Sequence, residues 1–313
     1  MYDSLFLFIT IVHKKKILFQ KRGGFMIKRL IVSLFILGLF DVRVNYAQDF
    51  ENVEMIVHPV SGNVLYIAGR GGNIGLLHGE DGILLIDDQY APLTEKIIKA
   101  VNSISNQPIR YIINTHMHPD HTGGNENFGR LGAMIVGHEN VRSQMAKAGY
   151  SQTPPFVTFS QDVTFHVNQE TVHVFKVPNA HTNNDSFIKF VSANTIHTGD
   201  VYRSESYPYI DINNGGSFLG TIAAYELLIE ASDQDTKIIP GHGGVTNIQR
   251  VVKATRMLQV IRDRVQNLIN DDLTLEGVLS RNVTQEYNAE WDSGRRIGGA
   301  VGLVTAAYRD LIK

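Results

Sequence analysis

Past residue 50 the chain alternates short apolar runs with glycine and asparagine breaks. "MIVHPV" (55–60), "VLYIAG" (64–69), "IGLLHG" (74–79) and "GILLID" (82–87) read as strands joined by tight turns. "LTEKIIKAVNSI" (93–104) spaces its apolar residues for a helix that ends ahead of Pro108. "IRYIINT" (109–115) is a β-branched run that predicts a buried strand, and a polar loop follows it directly. A strand over 133–137 and a helix from His138 to Lys147 come next. Residues 149–160, with Pro154 and Pro155, read as a loop that could wall a pocket. Strands are expected near 161–166, 171–177, 186–191 and 194–198, a helix over 218–231, and a strand within "TKIIPGHGG" (236–244). Residues 246–313 read as mostly helical. Nothing resembling a linker cuts this stretch. The pattern predicts one α/β domain over 48–313, sheets inside and helices outside.

Ahead of residue 50 the pattern changes. From Met26, two basic residues precede an apolar run from Leu30 to Phe40. That run has the length of a signal-peptide core and is too short to span a bilayer. Ala47 is the candidate cleavage residue. Residues 1–47 are therefore expected to be an upstream extension and a signal peptide, with the start at Met26. The expectation is export, to a periplasm or the exterior, with no stable membrane anchor after cleavage. An uncleaved anchor is the alternative.

Composition narrows the chemistry. A net charge of -2 over 313 residues, without a basic patch, excludes an ordinary nucleic-acid partner. The chain has no cysteine, which rules out disulfides, thiolate ligands and a cysteine nucleophile. Any metal must be held by imidazole and carboxylate.

Those groups gather in "NTHMHPDHTGG" (114–124), just past the predicted buried strand. In an extended segment His116 and His118 point to the same side. Asp120 and His121, after the turn at Pro119, can aim at a neighbouring point. Such donors suit borderline divalent metals, zinc above all. His181, Asp200 and His242 each follow an apolar strand and sit beside turn residues. Together they supply the missing ligands for two metals. Asp87, at the end of an early strand, is placed to support a ligating histidine from beneath. Tyr202, Tyr207, Tyr209 and Arg203, after Asp200, are candidates to line a pocket, with Arg203 able to pair with a carboxylate. His197 and His138 read as structural.

Residues 50–245 resemble the metallo-β-lactamase superfamily, through His116-Met-His118-Pro-Asp120-His121 followed by His181, Asp200 and His242. The resemblance implies a four-layer αββα sandwich with metals at one edge. It implies that His116, His118 and His181 hold one zinc, that Asp120, His121 and His242 hold another, and that Asp200 bridges them. Iron or manganese could replace zinc. Such a pair ionises a water for attack on a carbonyl. Asp120 would orient the nucleophile and pass on its proton.

The expected partner is a small molecule with a lactam, ester or thioester carbonyl. The leading expectation is a β-lactamase-like activity, suggested by the export signal and by Arg203. Against it, true β-lactamases of the family carry cysteine where this chain has Asp200. The alternative is a thioesterase, lactonase or esterase of the glyoxalase II-like type, since an aspartate there should favour ester or thioester over amide. An iron-dependent oxidoreductase such as a sulfur dioxygenase is the alternative of another class, and a non-catalytic binding protein a third.

Overall fold

The computed structural model describes residues 50–148, 153–294 and 299–313. The expected start at Met26, the apolar run 30–40 and the cleavage residue Ala47 lie outside them, as do residues 149–152. Residues 53–313 form one compact unit. Among the described residues no helix is long and apolar enough to cross a membrane.

The first sheet has seven strands in chain order: β1 (Ile56–Ser61), β2 (Val64–Ala68), β3 (Ile74–Leu77), β4 (Ile83–Ile86), β5 (Ile109–Asn114), β6 (Met134–His138) and β7 (Val157–Phe159). β1 to β4 are antiparallel hairpins, while β4 to β7 run parallel. The first hairpin turns on Gly62, whose φ of 53° costs a glycine nothing. A parallel pair needs a crossover, and α1 (Thr94–Asn102) supplies it between β4 and β5. Three short helices follow: α2 (Pro119–Thr122), α3 (Asn125–Arg130) and α4 (Glu139–Ala148).

The second sheet has six strands in the order β13-β12-β11-β10-β9-β8. These are β8 (Asp162–Val167), β9 (Glu170–Lys176), β10 (Ser186–Phe190), β11 (Thr195–His197), β12 (Lys237–Ile239) and β13 (Thr246–Asn247). Helix α5 (Phe218–Glu230) joins β11 to the parallel β12. Four helices close the chain: α6 (Ile248–Asn270), α7 (Leu275–Ser280), α8 (Gln285–Trp291) and α9 (Ala300–Leu311).

Period-2 alternation divides the apolar residues between two cores. Leu84, Ile86 and Ile113 of the first sheet pack with Val172, Val174, Ile188, Phe190 and Ile239 of the second. The other face of the second sheet, with Phe187, Ile196 and Ile238, packs on Phe218, Tyr225, Val251, Leu258 and Leu303 of the helices. Ile83, Leu85 and Ile112 on the opposite face of the first sheet are also buried. With the inner face already filled, the crossover helix must lie outside. The architecture is therefore helix–sheet–sheet–helix, the αββα sandwich expected from the sequence.

The expected strands and helices appear within a residue or two. One assignment needs correcting. The segment read as loop 149–160 contains β7, which extends the first sheet. Its three residues are too few, and too exposed at Val157, to show alternation.

Candidate metal centre

Register brings the predicted ligands to one edge. β5 lies parallel to β4, with Ile86 opposite Ile113. The loop after β5 therefore starts beside the turn after β4. β11 and β12 are parallel with His197 opposite Ile239, which places Asp200 next to the turn at His242. The loop before β10 carries His181, and Ser186 N donates to Thr115 O across the two sheets at 3.0 Å.

All seven predicted ligands come together, in three overlapping groups: His116, His118 and His181; His116, His121 and Asp200; Asp120, His121 and His242. Within each group the donor atoms lie within 4.8 Å of one another. In the first group His118 Nδ1 stands 3.1 Å from His116 Nε2 and 2.9 Å from His181 Nε2. In the second and third, Asp200 Oδ1 is 3.2 Å from His121 Nε2 and 3.3 Å from His242 Nε2, and Asp120 Oδ2 is 3.3 Å from His242 Nε2.

The outer nitrogens fix the tautomers. His181 Nδ1 faces Tyr209 O at 2.7 Å, and a carbonyl only accepts. His118 Nε2 donates to Asp211 Oδ2 at 2.9 Å, and His121 Nδ1 to Asp87 Oδ2 at 2.7 Å. His116 Nδ1 meets Thr115 Oγ1 at 3.0 Å, and that hydroxyl gives its proton to Asp87 Oδ2. So the inner nitrogens of His116, His118 and His181 present lone pairs to one another, an arrangement that a divalent cation between them would satisfy. His121 Nε2, His242 Nε2 and Asp200 Oδ1 are buried and make no hydrogen bond. Glycines leave room: a Cβ at Gly72 would collide with the His121 ring, and one at Gly241 with Asp200. The residues fit divalent ions.

Electrostatics separate the two halves. Burial, aided by the neighbouring imidazoles, pushes His116 well down and His181 to about 3, so both rings are neutral. Around Asp120, burial is outweighed by His121 and His242, which hold the carboxyl at about 2. Burial is likewise overcome at Asp200, held well below the carboxylate range by His242, Arg203 and His121. His121 and His242 are raised despite their burial by these same carboxylates. Bound cations would take over as counter-charge there.

The support beneath is tightly built. Asp87, fully buried, accepts from Thr115 N, Thr115 Oγ1 and His121 Nδ1, each at 2.7 Å. Its φ of 64° is a strained conformation that aspartate tolerates better than most. Gln89 ties the β2–β3 connection down, accepting from Gly71 N and donating to Gly72 O. Sequence reading missed Asp211 and Gln89. Asp211 lies in a polar stretch, "DINN", and nothing local marks it as the partner of a histidine far back in the chain.

The candidates beyond Asp200 divide. Arg203 reaches the site, 3.5 Å from Asp200 Oδ2. Tyr202 does not: it is buried against Tyr225, ring centroids 5.3 Å apart, because alternation along this segment turns it into the helical core. Tyr207 is buried too, its hydroxyl on Asn288 Oδ1. Tyr209 lies beside His118 and His181 and does not line the neighbouring cavity. That cavity, about 570 Å³, opens beside His242 and Arg203. None of the described residues 153–160 lines it. His197 is structural, bonding Asn73 O and Gly199 N.

An αββα sandwich with imidazoles and carboxylates converging where its two sheets meet defines a class of metal-site proteins. The chain belongs to the metallo-β-lactamase superfamily, whose family model matches residues 67–242. It is 28% identical over 141 residues to a hydroxyacylglutathione hydrolase of Pelagibacter ubique, 44% of this chain and 53% of that protein. The chain thus spans about half the length of that relative. The fold is similar to a metallo-β-lactamase from Pontibacter korlensis, with a TM-score of 0.59 at 20% identity, covering 66% of this chain and 99% of the other. DIM-1 metallo-β-lactamase gives a TM-score of 0.59 at 14% identity with the same coverage.

Proposed function

We propose that the protein is an exported hydrolase of carbonyl substrates that holds two zinc ions. The observation that carries this reading is the set of lone pairs that His116, His118 and His181 turn towards one another, with the outer nitrogen of each engaged. His116, His118 and His181 would hold one ion; Asp120, His121 and His242 the other; Asp200 would lie between them. Iron or manganese accept the same donors. When bound, such ions supply Lewis acidity and a water that ionises near neutral pH.

The chain's own groups perform the rest. Asp120 is ionised at neutral pH and partly open to solvent, so its carboxylate can orient an attacking water and receive the proton. Asp200, buried and anionic, would share in holding the ions, and its charge would reduce their Lewis acidity. That favours esters and thioesters over amides. Arg203 is turned towards Asp200 rather than left for a substrate carboxylate, which weakens the lactam reading. The hydroxyacylglutathione hydrolase relative supports the same choice. Export rests on the run from Met26 to Phe40, and fractionation of cells expressing the full chain tests it.

The deciding experiment assays zinc-loaded protein on thioester, ester and lactone panels and on nitrocefin, beside His116→Ala. Thioester or ester turnover should exceed nitrocefin turnover and fall to background in the variant. Nitrocefin as the best substrate would install the lactam reading. Bound iron with oxygen uptake and no hydrolysis would replace it with redox chemistry.

A further inference from the structure

The segment that leads from β11 into α5 grips two of the predicted ligands at once. Tyr209 O accepts from His181 Nδ1, and Asp211 N donates to His181 O at 2.8 Å. A Cβ at Gly216 would come within 2.4 Å of that same oxygen, so only glycine lets the segment lie so close. Asp211 Oδ2 takes the outer nitrogen of His118 at 2.9 Å. The brace behind Asp211 is Asn214. Its side-chain amide donates to Asp211 Oδ2 at 2.6 Å, and its backbone N–H to Asp211 Oδ1 at 3.3 Å.

Asn214 is followed by Gly215, and this is the chain's only Asn-Gly pair. Glycine is obligatory there. Its φ is 81°, and a Cβ would stand 2.8 Å from the Cβ of Asn183. Gly215 is exposed, and its N–H reaches Ile212 O at 3.2 Å to close the short 3-10 turn Ile212–Asn214. Asparagine is chemically labile, and a following glycine leaves the next backbone nitrogen unhindered for attack on the side-chain carbonyl. Asp211 requires a donor at 214 and the turn requires glycine at 215, so the fold itself builds the labile pair beside the support of His118.

We propose that Asn214 is a modification site coupled to the metal centre: deamidation there removes the donor that braces Asp211 and releases His118. Gly215 N bonds to Asn214 Cγ and gives up its proton, the Cγ–Nδ2 bond breaks, and ammonia leaves. Water then opens the cyclic imide to aspartate or isoaspartate and is the only co-reactant. A carboxylate now faces Asp211 Oδ2 where an amide N–H had been, and the two repel. Asp211 shifts, and the His118 ring loses its fixed orientation. The brace also acts in the other direction. While Asp211 holds the amide, Asn214 Cγ is kept from Gly215 N, so a firmly seated His118 slows the reaction. The inference rests on the reading of His118 as a metal ligand.

The test incubates zinc-loaded parent protein, metal-free parent and Asp211→Ala in warm, mildly alkaline heavy-oxygen water and maps the label by peptide mass spectrometry. Asn214 should take up label, more quickly in metal-free than in loaded parent and most quickly in Asp211→Ala. In parallel, Asn214→Asp reproduces the product, and Asn213→Asp places the same charge on the exposed neighbour. Asn214→Asp should bind zinc about tenfold more weakly in competition with a chromophoric chelator. Its His118 imidazole should lose the single tautomer seen by nitrogen NMR in the parent, whereas Asn213→Asp should match the parent in both readouts. Label entering equally fast in parent and Asp211→Ala, or no label at Asn214 in either, overturns the inference. So does Asn214→Asp with the parent's zinc affinity and His118 signals, or an equal loss in Asn213→Asp. If the parent binds no zinc, the metal reading fails, and the labelling rates and His118 signals still decide the inference.

Discussion

At the scale of single residues the centre is an exercise in holding imidazoles still. The outer nitrogens of His116, His118, His121 and His181 are fixed by Thr115, Asp211, Asp87 and the Tyr209 carbonyl. Asp211→Ala frees His118 to turn; metal affinity should fall about ten- to a hundredfold, read by competition with a chromophoric chelator. Gly72→Ala forces the His121 ring aside and should empty the Asp120–His121–His242 group first, seen as a loss of bound metal by elemental analysis. His197 gives a pH signature. Burial holds its pKa at about 4, against an ordinary 6.5, so the unfolded chain binds the extra proton between those values. Its stabilisation is complete above pH 6.5 and is lost as pH falls towards 4, by about 3 kcal/mol. Denaturant titrations of metal-free protein across that window should show a slope to which His116 and His181 also contribute, and His197→Gln should reduce it.

At the scale of elements, each loop bearing a ligand follows or precedes a strand whose register is fixed by burial. Helix α5, which carries β11 across to β12, is capped by Ser217, whose hydroxyl accepts from Gly220 N at 2.9 Å. Ser217→Ala should cost about 1 kcal/mol, read as a lower melting temperature with metal content unchanged. The strands and helices were legible in the sequence because their signals are local: β-branched runs such as 109–115, helical spacing over 93–104, and glycine at the turns. The His116–His121 group was legible for the same reason, since its spacing lies within one loop. Asp211 and Gln89 were not, because each acts on a partner distant in sequence and has no periodic signature. Tyr202 misled for a related reason. A tyrosine after a metal aspartate looks like pocket lining, and only the packing of α5 shows that it faces the core.

At the scale of the whole molecule, the site lies across the meeting line of the two sheets. His116, His118, Asp120 and His121 belong to the first sheet's connections, and His181, Asp200 and His242 to those of the second. Ion binding should therefore stabilise the fold itself, by about 2.7 kcal/mol when free metal is a hundredfold above its dissociation constant. A chelator should lower the melting temperature of the parent protein and leave that of His116→Ala almost unmoved; equal shifts in both would show that the ions do not bind at this centre.

The bond from Ser186 to Thr115, together with Asn73 N donating to Gly241 O at 2.7 Å, stitches the sheets along that same line. Cations seated beside these two bonds would act as rivets through a seam, and stripping them should let the halves of the sandwich breathe apart from the riveted end. Amide exchange should then quicken at Asn73, Thr115 and Ser186, while the remote strands β8 and β9 keep their protection.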